Sequence, residues 1–473
     1  MTAREAQFGI VGLGAMGANL GWNIAGRGYP VAGLDLDEER VRAFQDKAPQ
    51  NGDRAQVSAT RETKAFLARL SRPRAVMLLV PAGDPVDKVI HSLLPDLDEG
   101  DVLIDGGNSH FVDTDRRVSL LADEGVHFIG MGVSGGEEGA RHGPSMMPGG
   151  DPKGWERVRP ILQAAAAHVD GDPCVTWLGT GSAGHYVKMV HNGIEYGLME
   201  LIAEAYDLLY RGLGMDRDRM HSAFQTWSQG EMGGYLMEIT ADILVHQDQL
   251  SGDYLLDRIL DAARQKGTGK WTSQEAMELK VPTPIIDAAV AMRNLSDYKH
   301  QRERASHELG GPGGNGERDT REFVNSLASA LYGAMIMTYA QGMHLLQVGN
   351  ETHGYGTDME DVARIWRGGC IIRARLLEDL RAAYDRDPKL PNLVFDPSLE
   401  QRLQRCQPDL RTVVQSAARW GVPAPGLMAA LGYYDAYRSA RLPANLIQAQ
   451  RDYFGAHQFE RTDREGRFHE QWT

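Results

Sequence analysis

Residues 8–17 read FGIVGLGAMG. Phe8 to Val11 is an apolar run of the kind that forms a short buried strand. It leads at once into Gly12, Gly14 and Gly17, with Leu13, Ala15 and Met16 between them, and a helical pattern continues through Ile24. Strand, glycine turn and helix in this order form the context in which G-x-G-x-x-G binds a dinucleotide. The first glycine permits the tight turn, the second lets a pyrophosphate approach the backbone, and the third lets helix and strand pack closely. The helix N-terminus then faces the phosphate charge. A second strand, Val31 to Leu34, ends in Asp35, 18 residues after Gly17, where an acid for the ribose hydroxyls is expected.

Further strands are predicted at Ala75–Val80, Val102–Ile104 and Val126–Ile129, alternating with helical patterns. That alternation predicts a Rossmann-like, doubly wound parallel sheet. Ligands of such sheets bind beyond the carboxyl ends of the strands. Those ends carry Val80-Pro81-Ala82-Gly83, Asp105-Gly-Gly-Asn108-Ser109 and Ser134-Gly135-Gly136. Each alone reads as a plain tight turn. Together they predict a rim of backbone N–H groups and small polar side chains.

Beyond about Gly179 the alternation stops and long helical patterns predict a large all-α domain. Its first helix holds GHYVKMVHNGIEY, residues 184–196. Lys188, His191, Asn192 and Glu195 fall at i, i+3, i+4 and i+7, on one face. That stripe reads either as a solvated face or as the wall of a cleft. In a cleft, Lys188 and Glu195 lie about 10 Å apart along the axis, which suits proton exchange with opposite ends of a small substrate. A weak repeat runs from Tyr196-Gly197 through Gly212, Asp216 and Trp227 to Gly230, and again from Tyr332-Gly333 through Gly354, Asp358 and Trp366 to Gly369. It reads as a duplicated helical unit, with Asp216 and Asp358 as helix caps, or as chance likeness between helix-rich segments. The glycine-interrupted basic stretch Gln265–Trp271 is read as a loop for a phosphate. Arg302 to Arg321, glycine-rich and charged, is read as an exposed loop. The domains are placed at 1–178, 179–440 and a C-terminal tail at 441–473.

The chain has 473 residues, is 42% hydrophobic and 24% charged, and carries a net charge of −14. This is the composition of a globular enzyme rather than a nucleic-acid binder. An anionic substrate must therefore be caught by a local basic cluster. Three scattered cysteines, Cys174, Cys370 and Cys406, form neither a disulfide framework nor a metal set. No run resembles a signal peptide or reaches membrane-span length, so a cytoplasmic location, without membrane or metal, is expected.

Longer strings carry a more specific signal. GLGAMG, DGGNS at Asp105, VSGGEEGARHGPSMMPGG at Val133, GHYVKMVHNGIEYG at Gly184, QKGTGKWT at Gln265, WRGGCIIR at Trp366 and LPANLIQAQRDYFGAH at Leu442 occur in order along essentially the whole chain. Together they resemble the decarboxylating 6-phosphogluconate dehydrogenases of the pentose phosphate pathway, within the β-hydroxyacid dehydrogenases. The resemblance implies oxidation of 6-phosphogluconate at C3 and loss of CO2 to give ribulose 5-phosphate. It implies Lys188 as general base and Glu195 as general acid. Asn108, Ser134, Gly135, Gly136, His191 and Asn192 would hold the sugar acid, and Tyr196, Lys266, Thr268 and Arg293 its phosphate. The cofactor would lie along Gly12–Gly17, Asp35, Leu36, Val80, Pro81, Ala82 and Asn108. A homodimer, or a tetramer built from it, is implied, with Arg451 and His457 of the tail completing a neighbour's pocket.

The chain departs from that pattern after the second strand. Family members that use NADP typically carry Asn-Arg-Thr there, and the Arg grips the 2′-phosphate. Here Asp35-Leu36-Asp37 is followed by Glu38 and Glu39, and Pro81 replaces a common Lys in the loop after the fourth strand. Asp35 accepts from free ribose hydroxyls and repels a 2′-phosphate, so NAD is expected over NADP unless Arg40 or Arg42 reaches back. Two competing functions are a dehydrogenase for another sugar or hydroxy acid, and an NAD-binding scaffold without chemistry. The basic set Lys266, Arg293 and Arg451 speaks against the first, and the pairing of Lys188 with Glu195 against the second.

Overall fold

The computed structural model describes residues 5–48, 57–313 and 320–472. Seven strands form one sheet: β1 (Phe8–Val11), β2 (Val31–Leu34), β3 (Val57–Thr60), β4 (Ala75–Leu78), β5 (Val102–Asp105), β6 (His127–Ser134) and β7 (Ser145–Gly150), in the order β3-β2-β1-β4-β5-β6-β7. The first six are parallel, and β7 runs antiparallel to β6. Strands β1, β2, β4 and β5 are buried throughout, and apolar clusters cover both sheet faces, as expected where helices lie on either side. The strand order reverses between β1 and β4, the switch point at which a crevice opens beyond the strand ends.

Two strands differ from expectation. The polar sequence VSAT of β3 has no apolar run to announce it, and SMMPGG of β7 contains a proline and two glycines. Proline is tolerated there because β7 is an edge strand. Strand β4 also stops at Leu78 rather than Val80, and β6 continues to Ser134, so Ser134 ends a strand rather than opening a loop.

The helical part packs around the helix Ala183–Asp207, of which 18 residues are buried. Its start lies directly on the sheet. A Cβ at Gly184 would come within 2.2 Å of both the Gly130 and Met147 carbonyl oxygens, so only glycine permits this approach. The long helix Thr320–His353 packs beside it within one continuous core.

The two halves of the repeat meet symmetrically. Gly234 and Ala374 form an antiparallel bridge, flanked by Tyr235 N–H donating to Arg373 O (3.1 Å) and Arg375 N–H donating to Gly233 O (2.8 Å). Asp216 accepts from Arg219 N–H and Asp358 from Glu360 N–H, each at 2.8 Å, as equivalent N-caps. This local two-fold supports reading the halves as copies.

The stretch Arg302–Arg321 is not simply a loop. Lys299–Glu308 is helical, supported on its exposed face by Lys299–Glu303 and Arg304–Glu308 pairs, and Arg321 belongs to the helix from Thr320. Its residues 314–319 lie outside the described residues. The tail forms the helix Ala444–Gly455 and a small hairpin, Phe459–Glu460 with Arg467–Phe468. Asp452 is the only buried residue of that helix. It ties the tail to itself by accepting from Gln458 N–H (2.9 Å), Glu470 N–H (3.1 Å) and Trp472 Nε1–H (2.9 Å), with His469 Nδ1 at 3.0 Å. Among the described residues, no helix is long and apolar enough to cross a membrane.

Candidate active site

A cleft of about 900 Å³ opens between the switch point of the sheet and the helix Ala183–Asp207. On the sheet side it is lined by Gly14 to Gly17, Val80, Pro81, Ala82 and the loop Gly106–Asn108. On the helical side it is lined by Asn192, Glu195, Tyr196, Lys266, Thr268 and Arg293.

The glycine turn has the build that a pyrophosphate requires. Gly12 has φ +95°, and a Cβ there would lie 2.5 Å from Leu79 O. A Cβ on Gly17 would lie 1.9 Å from Gly12 O, so helix and strand could not close up. Gly14 faces open space, with no atom within 4 Å of a Cβ. The helix Ala15–Gly26 begins there with no side chain capping it, which leaves its first N–H groups for an anion. Leu13 is buried and donates its N–H to Asp35 Oδ2 at 2.7 Å. Asp37 N–H donates to Asp35 Oδ1 at 3.0 Å, so the acid is fixed with lone pairs to spare for ribose hydroxyls. Leu36 is 83% exposed beside it. Arg40 does reach back, to 3.7 Å from Asp35 Oδ2, but it is also paired with Asp37. Arg42 pairs with Glu38 instead.

The Lys188 stripe is not a solvated face: Asn192 and Glu195 line the cleft, and Lys188 and His191 lie outside its lining. Lys188 and His191 are buried, and Asn192 and Glu195 are half-buried. Lys188 Nζ donates to Asn192 Oδ1 at 2.7 Å and lies 3.3 Å from His191 Nδ1. Gly132 in β6 makes room for the lysine stem, since a Cβ there would lie 2.3 Å from Lys188 Cβ. Burial pulls the Lys188 pKa below its ordinary value, against the opposing charge of Glu195. Burial pushes Glu195 up, against Lys188 and Arg293. His191 is held well below the ordinary histidine value, by burial first and the Lys188 charge second. It is therefore neutral, and its 3.9 Å approach to Glu195 Oε2 is not an ion pair. The arrangement favours a neutral base and a protonated acid on one helix face.

Ser134 Oγ lies 3.4 Å from His191 Nε2 and accepts from Ile371 N–H at 3.4 Å. Gly135 (φ +110°) and Gly136 (φ +61°) follow it, and a Cβ on Gly135 would lie 2.5 Å from Gly369 O. Asn108 has φ +55° and is held by Val133, whose N–H donates to Asn108 Oδ1 at 3.1 Å. At the other end, Asn192 Nδ2 donates to Thr268 Oγ1 at 3.0 Å, and the Arg293 guanidinium carbon lies 3.5 Å over the Tyr196 ring. Thr268 is not in a loop. It opens the helix Thr268–Glu278, because Gly267 at φ +101° ends the preceding loop, so only Gln265–Gly267 of the predicted basic loop is irregular.

From the sequence, the second half of the repeat is expected to serve packing rather than chemistry, and its loop at Trp366–Ile371 packs directly behind the site. Trp366 is buried edge-on against His191, with ring centroids 5.5 Å apart. Cys370 is buried with its thiol donating to Trp366 O, and burial pushes that thiol up to about 12, so it stays protonated. The signals there were the shared position of Trp227 and Trp366 in the repeat and the string WRGGCIIR at Trp366. Arg451 and His457 stay on the exposed tail, outside the lining of this cleft.

Two family models match the chain: the NAD binding domain of 6-phosphogluconate dehydrogenase over residues 7–179, and the C-terminal domain of 6-phosphogluconate dehydrogenase over residues 184–472. A decarboxylating 6-phosphogluconate dehydrogenase of Lactococcus lactis subsp. lactis is 48% identical over 474 residues, covering 99% of each chain. A Bacillus subtilis enzyme described as NADP(+)-dependent and decarboxylating is also 48% identical, again over 99% of each. The solved Plasmodium falciparum 6-phosphogluconate dehydrogenase, studied with its cofactor NADP+ and its substrate 6-phosphogluconate, superposes with a TM-score of 0.95 at 41% identity, covering 99% of this chain and 100% of that one. A switch-point cleft beside a helix that carries a buried Lys188 and a half-buried Glu195, and family matches along nearly the whole length, lead to one conclusion: the chain belongs to the 6-phosphogluconate dehydrogenase family.

Proposed function

We propose that this protein oxidatively decarboxylates 6-phospho-D-gluconate to D-ribulose 5-phosphate and CO2, and that it reduces NAD in preference to NADP. The observation that carries the reading is the placement of Lys188 and Glu195. Both are drawn out of water on one helix face; Glu195 lines the cleft between a dinucleotide cradle and a basic end, and Lys188 adjoins it through Asn192. The nicotinamide, when bound, accepts hydride from C3. Neutral Lys188 takes the C3 hydroxyl proton as hydride leaves. The resulting ammonium donates to the new C3 carbonyl oxygen and draws electrons from the bond to the carboxylate as CO2 departs. Glu195 then protonates the enediol carbon left behind, which becomes C1 of the product. Asn108, Ser134, Gly135, Gly136, His191 and Asn192 hold the sugar acid, and Tyr196, Lys266, Thr268 and Arg293 its phosphate.

NAD preference rests on the fixed carboxylate of Asp35, the apolar Leu36 beside it, and the engagement of Arg40 and Arg42 with carboxylates. The relatives named for NADP weigh the other way. The domains are proposed at 1–178, 179–440 and 441–473. A homodimer, from which a tetramer can form, is supported by the exposed Leu446, Ile447, Tyr453 and Phe454 of the tail helix, with Arg451 and His457 serving the neighbour's cleft. Three buried, unpaired thiols suit a reducing cytoplasm. The test is 6-phosphogluconate-dependent absorbance of reduced cofactor, run with NAD and with NADP. A higher kcat/KM with NAD supports the full reading. Activity favouring NADP removes the preference, and activity with neither removes the reaction.

A further inference from the structure

Arg117 lies in the helix Phe111–Asp123 with its side chain wholly buried. A guanidinium carries five N–H donors and no acceptor. Here all five are used. Nε donates to Asp87 Oδ1 (2.8 Å), Nη1 to Asp105 Oδ2 (3.1 Å) and Ser109 Oγ (3.0 Å), and Nη2 to Gly83 O (3.1 Å) and Asp87 Oδ2 (3.1 Å).

These partners belong to two segments of the cleft rim. Gly83 and Asp87 follow β4, directly after Val80, Pro81 and Ala82. Asp105 and Ser109 flank Gly106, Gly107 and Asn108. Asp105 also accepts from Gly107 N–H (3.0 Å) and Ser109 Oγ–H (2.7 Å), which closes the second loop on itself. Between those anchors stands Asn108 at φ +55°, a conformation that costs a non-glycine residue energy unless its surroundings impose it. Burying a guanidinium together with its carboxylates is costly, and apolar side chains in place of the whole set would fill the space between helix and sheet as well or better for stability. What an apolar side chain could not do is join the two loops.

We propose that Arg117 is a positioning residue for hydride transfer: it ties the loops after β4 and β5 together, and so sets the width of the cofactor side of the cleft and the placement of Asn108. This rests on the proposed dehydrogenase reading of the cleft. Arg117→Lys keeps the charge and loses the fork, since an ammonium cannot span both loops.

Three quantities, measured on the full-length protein, test it: amide hydrogen exchange at residues 82–84 and 106–109, the Kd for NAD, and the deuterium isotope effect on kcat with 6-phosphogluconate labelled at C3. In Arg117→Lys we expect faster exchange in both loops, a Kd raised about tenfold, as for loss of one charge-assisted hydrogen bond, and a larger isotope effect because hydride transfer slows relative to product release. Ser109→Ala, which removes one anchor without a buried charge, should move all three in the same direction by less. Should Arg117→Lys fail to fold, Ser109→Ala carries the test. A folded variant with exchange, Kd and isotope effect all at wild-type values overturns the proposal. A wild-type protein that neither binds NAD nor turns over overturns the functional reading instead, while exchange in the two loops still reports whether Arg117 ties them.

Discussion

Lys188 Nζ donates to Asn192 Oδ1 at 2.7 Å, and Asn192 Nδ2 donates in turn to Thr268 Oγ1 at 3.0 Å. One asparagine thus links the proposed base to the proposed phosphate end of the cleft. A helix alone would bring Lys188 and Asn192 to one face. Burial makes the contact consequential, because it lowers the lysine pKa and leaves few other partners for the ammonium.

The directions of the two shifts fix the shape of the pH profile. Lys188 must be neutral to accept a proton, so activity is lost as pH falls through its lowered pKa. Glu195 must carry a proton to donate it, so activity is lost as pH rises through its raised pKa. A bell in kcat/KM is expected, with apparent values that belong to the coupled pair. Lys188→Met should remove the acid limb and lower kcat by about 100- to 10,000-fold, and Glu195→Gln should remove the alkaline limb with a loss in the same range. Initial rates across pH check this.

Cofactor choice is expected to turn on two side chains. Asp35→Asn removes the charge that repels a 2′-phosphate, and Leu36→Arg supplies a forked donor for it. The double variant should shift the NADP-to-NAD ratio of kcat/KM upward by about tenfold or more, the worth of one charge-assisted pair. An unchanged ratio would place the choice elsewhere, with Arg40 the next residue to replace.

Gly132→Ala tests the packing behind the base. The new methyl would meet Lys188 Cβ at 2.3 Å and Cγ at 2.7 Å. Such overpacking costs about 1–3 kcal/mol and should displace the lysine. A fall in kcat larger than any rise in KM is expected, together with a lower Tm.

Arg293 stacks on Tyr196 and lines the cleft. If it grips the substrate phosphate, Arg293→Met should raise the KM for 6-phosphogluconate by about tenfold to a hundredfold, the worth of a hydrogen bond to a charged group. Turnover of unphosphorylated gluconate should hardly change. An equal loss with both substrates would point to a structural role for Arg293.

The sheet could be read from the sequence wherever its strands are apolar. FGIV, VAGL and AVML announce themselves, and the glycine spacing identifies the turn after the first. The strand VSAT could not be read, because its alternation of Val57 and Ala59 with Ser58 and Thr60 is too short and too weakly apolar to stand out, nor could SMMPGG, because proline and glycine argue against a strand until its edge position is known. The stripe from Lys188 to Glu195 was legible as a face, but not as a buried one. Its burial depends on what Gly184, in the same helix, packs against, and on Gly132 and the loop at Trp366–Ile371, which are distant in sequence. Trp366 and Cys370 were legible only as part of a packing unit, and not as neighbours of His191 and Lys188, for the same reason. Charge misled once: Lys299–Glu308 has too few apolar residues to show a core-facing period, yet it is helical through pairs along its own surface.

The most direct measurement follows two products at once: reduced cofactor by absorbance, and labelled CO2 from 6-phosphogluconate carrying carbon-14 at C1. Equal amounts of the two, with labelled CO2 release slowed at least about 100-fold in Lys188→Met, are expected if Lys188 and Glu195 carry out an oxidative decarboxylation. Reduced cofactor without released label, or undiminished release from Lys188→Met, would contradict it.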